Sequence, residues 1–152
     1  DFNLPERFEL EYVNHDGNKE RPVMLHRVIF GSIERFIGIL IEHYAGAFPT
    51  WLSPVQVNII PVNNEYHLEY SKEIYNLLLE NNFRVELDDS DEKLSYKMRE
   101  SSVQKIPYTL ILGDKEKDSN LISYRKLGSK ETHTIDKNEF IKLLQDDVKN
   151  LK

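Results

Sequence analysis

The chain contains no cysteine in its 152 residues. That excludes disulfide staples, thiolate metal ligands and a cysteine nucleophile, and it suits a protein of the reducing cytoplasm. A membrane-spanning run is also missing. The longest apolar stretch, Val28 to Ile41, is broken by Gly31-Ser32 and Glu34-Arg35, so no membrane partner is expected. The start, DFNLPERFELEYVNHDG, has neither the basic opening nor the apolar stretch of a signal peptide, and it does not begin with Met. The expectation is a piece cut from a longer chain. Positive charge is in short supply: 20 Lys and Arg stand against 26 Asp and Glu, a net charge of −6. Broad charge-driven binding to nucleic acid, DNA included, is therefore not expected, and any such contact must be local and selective.

What is present suffices for one compact domain, or a domain with an appendage. Apolar residues make up 39% of the chain, enough for a core, and 30% charged residues solvate its surface. FELEYV, residues 8–13, alternates apolar and charged side chains as a half-buried strand does. Asp16-Gly17 then marks a turn, and residues 23–30 read as a second strand returning antiparallel to the first. Ser32 suits the N-cap of a helix whose Ile33, Phe36, Ile37, Leu40, Ile41 and Tyr44 fall on one buried stripe, with Gly46 at its C′ position. The segment AFPTWLSPVQ has neither period and reads as an ordered linker and domain boundary, dividing the chain into 1–46 and 47–152.

Beyond it strand and helix alternate. VQVNIIPV reads as a buried strand, and EYHLEYSKEIYNLLLENN as a helix with Leu68, Ile74, Leu77 and Leu78 on one side. FRVELDD is a short strand. EKLSYKMRESSVQK is a helix with only a thin apolar stripe, Leu94, Met98 and Val103, and IPYTLILG is a third buried strand. A turn, a strand over 121–127 and a short fifth strand follow. Asp136 and Glu139, in capping-box spacing, open a final helix with Phe140, Ile141, Leu144, Val148 and Leu151. This pattern predicts an α/β fold with a mainly parallel, five-stranded mixed sheet flanked by helices in three layers, where ligands sit beyond the C-terminal ends of the strands.

Chemistry concentrates at Phe30-Gly31-Ser32-Ile33-Glu34-Arg35. Gly31 permits close backbone approach, the first helical amides are unpaired, and Arg35 lies in the same turn, a combination suited to an anionic, planar ligand such as a nucleotide. On pattern alone a plain turn before a solvated first helical turn fits these residues slightly better, since glycine before a helix is common. The other histidines, His15, His43, His67 and His133, lack ligand spacing and read as surface or structural. The Asp88, Asp89, Asp91 and Glu92 cluster lacks the glycine and spacing of a calcium loop.

RPVMLHRVIFGSIERFIGILIEHYAGAFPTWLSPVQV resembles the motif 3 region of threonyl-tRNA synthetases, a class II aminoacyl-tRNA synthetase family, running into their anticodon-binding domain. The likeness continues through EKLSYKMRE, IPYTLILGDKE and the last helix. It implies that residues 1–46 are a remnant of the catalytic core, preceding an anticodon-binding domain at 47–152. By this resemblance Arg35 stacks on the adenine of ATP, which acts with magnesium. Ser32 contacts the nucleoside, Glu34 braces Arg35, and His26 is one ligand of a zinc ion that binds threonine. The other two zinc ligands have no counterpart here, so His26 alone is not expected to hold the metal. Arg99, Glu116 and Arg125 match anticodon-reading positions, with Asp91 and Lys93 weaker matches and Lys97 a further phosphate contact. Arg is suited to bonding or stacking on a base, and a carboxylate to accepting from a base's amine. The structural alternative is that Arg99 and Arg125 merely pair with nearby acids.

The implied parent is a homodimeric threonine–tRNA ligase joining threonine to tRNA(Thr) through threonyl-adenylate. Motifs 1 and 2 are not recognisable, so the 152 residues by themselves are expected to be inactive. Two rivals remain: a free-standing tRNA-binding module and a nucleotide-binding regulatory protein.

Overall fold

The computed structural model describes residues 1–152 throughout. It divides into two compact units, Asp1–Ile39 and Leu40–Lys152.

The first unit opens with a short helix, α1 (Asn3–Arg7), whose first amides, those of Asn3 and Leu4, donate to the Asp1 carboxylate at 2.8 and 3.0 Å. A small antiparallel hairpin follows, β1 (Tyr12–Val13) against β2 (Lys19–Glu20). Its turn forms because the Asn14 side-chain oxygen accepts from the amides of Asp16 and Asn18 at 3.0 and 2.9 Å, while Gly17 takes the left-handed φ of +80°. The hairpin is shorter than the sequence predicts. Residues 8–11 lie outside it, and the strand expected over 23–30 does not form. An apolar, β-branched run becomes a strand only where a neighbouring strand takes its amides and a core takes its side chains. Here Leu25 is 87% exposed and Ile29 76%, so neither condition is met.

Helix α2 (Ile33–His43) does form, and the Arg35 amide lies 3.4 Å from the Ser32 hydroxyl, as an N-cap at Ser32 requires. Its stripe, however, is not buried: no α2 residue is, and Ile33, Ile37 and Ile41 are exposed. The helix ends with Ala45 at φ +49°, and the Gly46 amide donates to the Ile41 carbonyl at 2.9 Å. Ala45 thus takes the left-handed closing position that the sequence suggests for Gly46, which follows at +75°.

The second unit is built on β3 (Val57–Pro61), every residue of which is buried. Helix α3 (Asn64–Glu80), capped by the Asn63 side chain on the Glu65 amide at 2.8 Å, leads to β4 (Val85–Leu87). Helix α4 (Leu94–Val103) leads to β5 (Tyr108–Leu112). The six-residue helix α5 (Asp114–Ser119), where the sequence suggested only a turn, precedes β6 (Leu121–Lys126), β7 (His133–Asp136) and α6 (Lys137–Lys149). Asp136 caps α6 through the Asn138 amide at 2.7 Å, whereas Glu139 returns no bond to close the expected box.

The sheet order is β4-β3-β5-β6-β7. β4, β3 and β5 pair in parallel, β6 runs antiparallel between β5 and β7, and four of the five strands therefore share one direction. Strand alternation sends Val57, Ile59, Tyr108, Leu110, Ile122 and Tyr124 into one core with Ile74 and Leu78 of α3 and Phe140 and Leu144 of α6. The opposite face carries Thr109, whose hydroxyl meets that of Ser101 on α4 at 2.7 Å. Helices thus lie on both faces, as the α/β pattern predicts.

Two helices bury different residues from those the apolar spacing suggests. On α3 the buried set is His67, Tyr70, Ser71, Ile74 and Leu78, with Leu68 and Leu77 only half-buried. His67 fits there because both ring nitrogens are satisfied, Nδ1 by the Asn63 amide at 3.1 Å and Nε2 by Asp114 at 2.9 Å. On α4 the sheet side carries Lys97 and Ser101 rather than Leu94 and Met98.

The segment after α2 is ordered, as expected. Gln56 is buried, its side-chain amide donating to the Thr50 carbonyl at 2.9 Å and accepting from the Arg84 amide at 3.0 Å. The Arg84 guanidinium adds bonds to the carbonyls of Ser53 and Trp51 at 2.8 and 2.9 Å. Asp147 accepts from the Tyr108 phenol at 2.5 Å. Burial first, and then that carboxylate, push the Tyr108 phenol far up from its ordinary value.

Candidate nucleic-acid interface

The α4 face of the sheet becomes polar towards β7. Cross-strand register places Thr109 beside Arg125, and Ile111, Ser123 and Thr134 side by side one step along. A cleft of about 200 Å³ opens between this row and α4. Met98 and Ser102, one helical turn apart, form one wall; Thr109, Arg125 and Lys130 contribute polar side chains to the lining. Two cations, Arg125 and Lys130, and no carboxylate line this cleft in a chain of net charge −6, whereas the Lys126 ammonium lies on the other face of the sheet, 5.1 Å from the centre of the Tyr108 ring.

Arg125 is half-buried, and its Nε donates to the Thr132 hydroxyl at 2.8 Å. Arg99 is exposed on α4 next to Met98 and makes neither a side-chain hydrogen bond nor an ion pair. Pairing with acids, the alternative reading for both arginines, is absent. Lys93, at the N-cap of α4, is exposed and equally unpaired.

Glu116 is held at both oxygens. Its Oε2 accepts from the Gly113 amide at 3.0 Å, closing the first turn of α5, and its Oε1 accepts from the Ser123 hydroxyl at 2.6 Å. Burial pushes its carboxyl up, but the Ser123 hydroxyl, the Gly113 amide, its own amide and Lys115 together outweigh that and hold it below the ordinary range. Each oxygen keeps a second lone pair with which to accept from a ligand.

Asp91 stands apart from the cleft, beside the start of α3, and accepts from the Asn64 side chain at 3.3 Å. Lys97 does not reach solvent as a phosphate contact would. It is 3% exposed, and its ammonium donates to the Asp88 carbonyl at 2.9 Å, with the Asp88 carboxylate 3.7 Å away. The buried stem follows from its position one turn before Ser101 on the sheet side of α4.

In the first unit Arg35 is exposed and unpaired. Glu34 does not brace it: the Glu34 carboxylate accepts from Ser32 at 2.8 Å, because adjacent helical residues point in different directions. The Glu34 carboxyl is held low by its own amide and then by Ser32. Gly31, at φ +68°, makes the left-handed step into this helix. His26 meets only Asp1, at 2.7 Å, and no group of three metal-ligating side chains exists in the chain. One exposed imidazole does not fit a zinc site, which takes about three protein ligands.

Thr132, which bonds Arg125, Ser123, which bonds Glu116, and Thr134, which bonds Ser123, escape sequence reading. Only strand register brings them there, and residues 127–134 carry no spacing that fixes the register.

The fold and the site define a class. The family model described as anticodon binding domain matches residues 56–147, and the chain belongs to that family. Residues 1–44 match the tRNA synthetase class II core domain (G, H, P, S and T). Along its whole length the chain is similar to the threonine–tRNA ligases: it is 51% identical over all 152 residues to that of Oceanobacillus iheyensis, covering 24% of the relative. Against that of Carboxydothermus hydrogenoformans it is 62% identical over 128 residues, 84% of this chain and 20% of the relative. The RNA binding domain of threonyl-tRNA synthetase from Cryptosporidium parvum superposes with a TM-score of 0.73 at 31% identity, over 96% of this chain and 37% of that one. The chain spans about a quarter of the length of the curated relatives. No helix is long and apolar enough to cross a membrane.

Proposed function

We propose that the chain is the tRNA-recognising part of a threonine–tRNA ligase, and that the cleft beside α4 receives anticodon bases. The carrying observation is that cleft, lined by the cations Arg125 and Lys130 and by no carboxylate, with the unpaired Arg99 on α4 next to its wall residue Met98. Arg125 bonds or stacks on a base, Arg99 engages a second base or its phosphate, and Glu116 accepts from an exocyclic amine. Lys93 adds attraction for phosphate, and Asp91 contributes least. In the parent enzyme, a cytoplasmic homodimer, ATP with magnesium activates threonine. Arg35 stacks there on the adenine, a role suited to a planar, unpaired guanidinium at a helix start, and Ser32 lies beside the nucleoside.

The test is affinity for tRNA(Thr) at fixed salt. Arg125→Ala and Arg99→Ala are each expected to weaken binding about 5- to 100-fold, the range of one specific base contact. Unchanged affinity in both variants would remove the reading. In the full-length parent enzyme, Arg35→Ala should cripple ATP–pyrophosphate exchange while leaving tRNA binding intact. Threonine-dependent exchange by the 152-residue chain alone would contradict the assignment of activation to the parent.

A further inference from the structure

We propose that the edge strand β7 and the residue leading into it are a positioning rail for base recognition, with Thr132 aiming Arg125 and Thr134, through Ser123, aiming Glu116. The inference rests on the reading of Arg125 and Glu116 as base-contacting residues.

Thr134 lies in β7 and Thr132 immediately precedes the strand, and their hydroxyls meet Ser123 and Arg125 of β6 respectively. Register opposes Thr134 to Ser123, and beyond the last register pair, Tyr124 with His133, the Thr132 side chain meets that of Arg125. The consequences for the two reading residues differ. The Thr132 hydroxyl accepts from Arg125 Nε at 2.8 Å, fixing the plane of the guanidinium and leaving its two terminal nitrogens as a free fork. A half-exposed arginine otherwise has several rotamers to lose when it binds, and prior fixation lowers that loss.

At Glu116 the proton order follows from counting donors. Ser123 has one hydroxyl proton and gives it to Glu116 at 2.6 Å; its 2.7 Å contact with Thr134 therefore has Thr134 as the donor. Thr134, Ser123 and Glu116 form a directed chain that ends on an acceptor-only carboxylate, itself anchored at its other oxygen by the Gly113 amide. The depressed Glu116 carboxyl agrees with that arrangement. Both threonines are exposed, so their hydroxyls are not required to satisfy a buried core, and replacing them leaves the fold intact.

The experiment measures binding of the 152-residue chain to tRNA(Thr) and to the same tRNA with one anticodon base changed. Thr132→Val should weaken binding to tRNA(Thr) about three- to tenfold and reduce discrimination by the same factor, the effect of losing one hydrogen bond. Thr132→Ser, which keeps the hydroxyl, should stay within about twofold of the parent chain. Thr134→Val and Thr134→Ser should differ in the same way. In the Arg125→Ala background, Thr132→Val should have no further effect. Full discrimination in both valine variants, or equal losses in the valine and serine variants, would overturn the rail. Arg125→Ala and Glu116→Gln separate the two levels: if they abolish discrimination while the valine variants do not, only the rail fails. If they too leave discrimination intact, the base-reading assignment fails and takes the rail with it.

Discussion

Gln56→Glu changes almost no volume and tests whether the Gln56 bridge fixes residues 50–56 to the sheet. Gln56 is 2% exposed and uses both ends of its amide: the NH2 on the Thr50 carbonyl, the oxygen on the Arg84 amide. A glutamate keeps the second bond and, when ionised, sets an acceptor against the Thr50 carbonyl. Burial and that carbonyl both favour the neutral acid, so its folded-state pKa is raised above an unfolded value of about 4.3. Protonation caps the penalty. At about 1.36 kcal/mol per pH unit, staying protonated at pH 7 costs about 3.7 kcal/mol, the largest loss expected there. The native state binds the extra proton, so the variant's stability should be greatest below about pH 4.3 and fall as pH rises towards the folded value. Urea unfolding of parent and variant between pH 4 and 7 gives the difference. A loss of about 2–4 kcal/mol at pH 7 that shrinks to under about 1 kcal/mol at pH 4 is expected. Equal stabilities at pH 7, or a loss independent of pH, would refute the bridge.

Ile74 is fully buried in the α3 side of the core, and Ile74→Ala should lower unfolding stability by about 3 kcal/mol, read from the urea midpoint, with far-UV spectra unchanged. Glu116 has a depressed folded-state carboxyl, so its contribution is present above the unfolded value near pH 4.3 and is lost as pH falls through the folded one. Glu116→Gln should therefore cost about 1 kcal/mol at pH 7 through the weakened cap, a difference that closes at the acid end; a gap widening with acid would contradict the hydrogen-bonding account.

Much of the second unit is legible in the sequence because its signals are local. The apolar runs at 57–61 and 108–112 are strands buried on both faces, and the capping Asp136 marks a helix wherever it packs. The first unit is less legible for a physical reason. Residues 23–30 have strand composition, but composition supplies no partner for their amides, and the structure leaves them unpaired and exposed. Lys97 misleads in the opposite direction: a lysine between Tyr96 and Met98 reads as solvated, yet the phase of α4 turns it towards the sheet, where Asp88 receives it. Arg99 and Arg125 were nameable through their resemblance to a family. Thr132 and Thr134 were not, because their relevance lies in a register between strands that a linear pattern does not encode.

Anticodon reading by this chain is the proposal that binding measurements test most directly. The most direct measurement is the ratio of dissociation constants for tRNA(Thr) and the same tRNA altered only at the second or third anticodon base, at about 150 mM salt, where nonspecific phosphate binding is weak. Each changed base should weaken binding about 5- to 150-fold, the cost of one mismatched contact. A ratio of one at both positions, with tRNA bound, would mean that the cleft holds a phosphate backbone and reads no base.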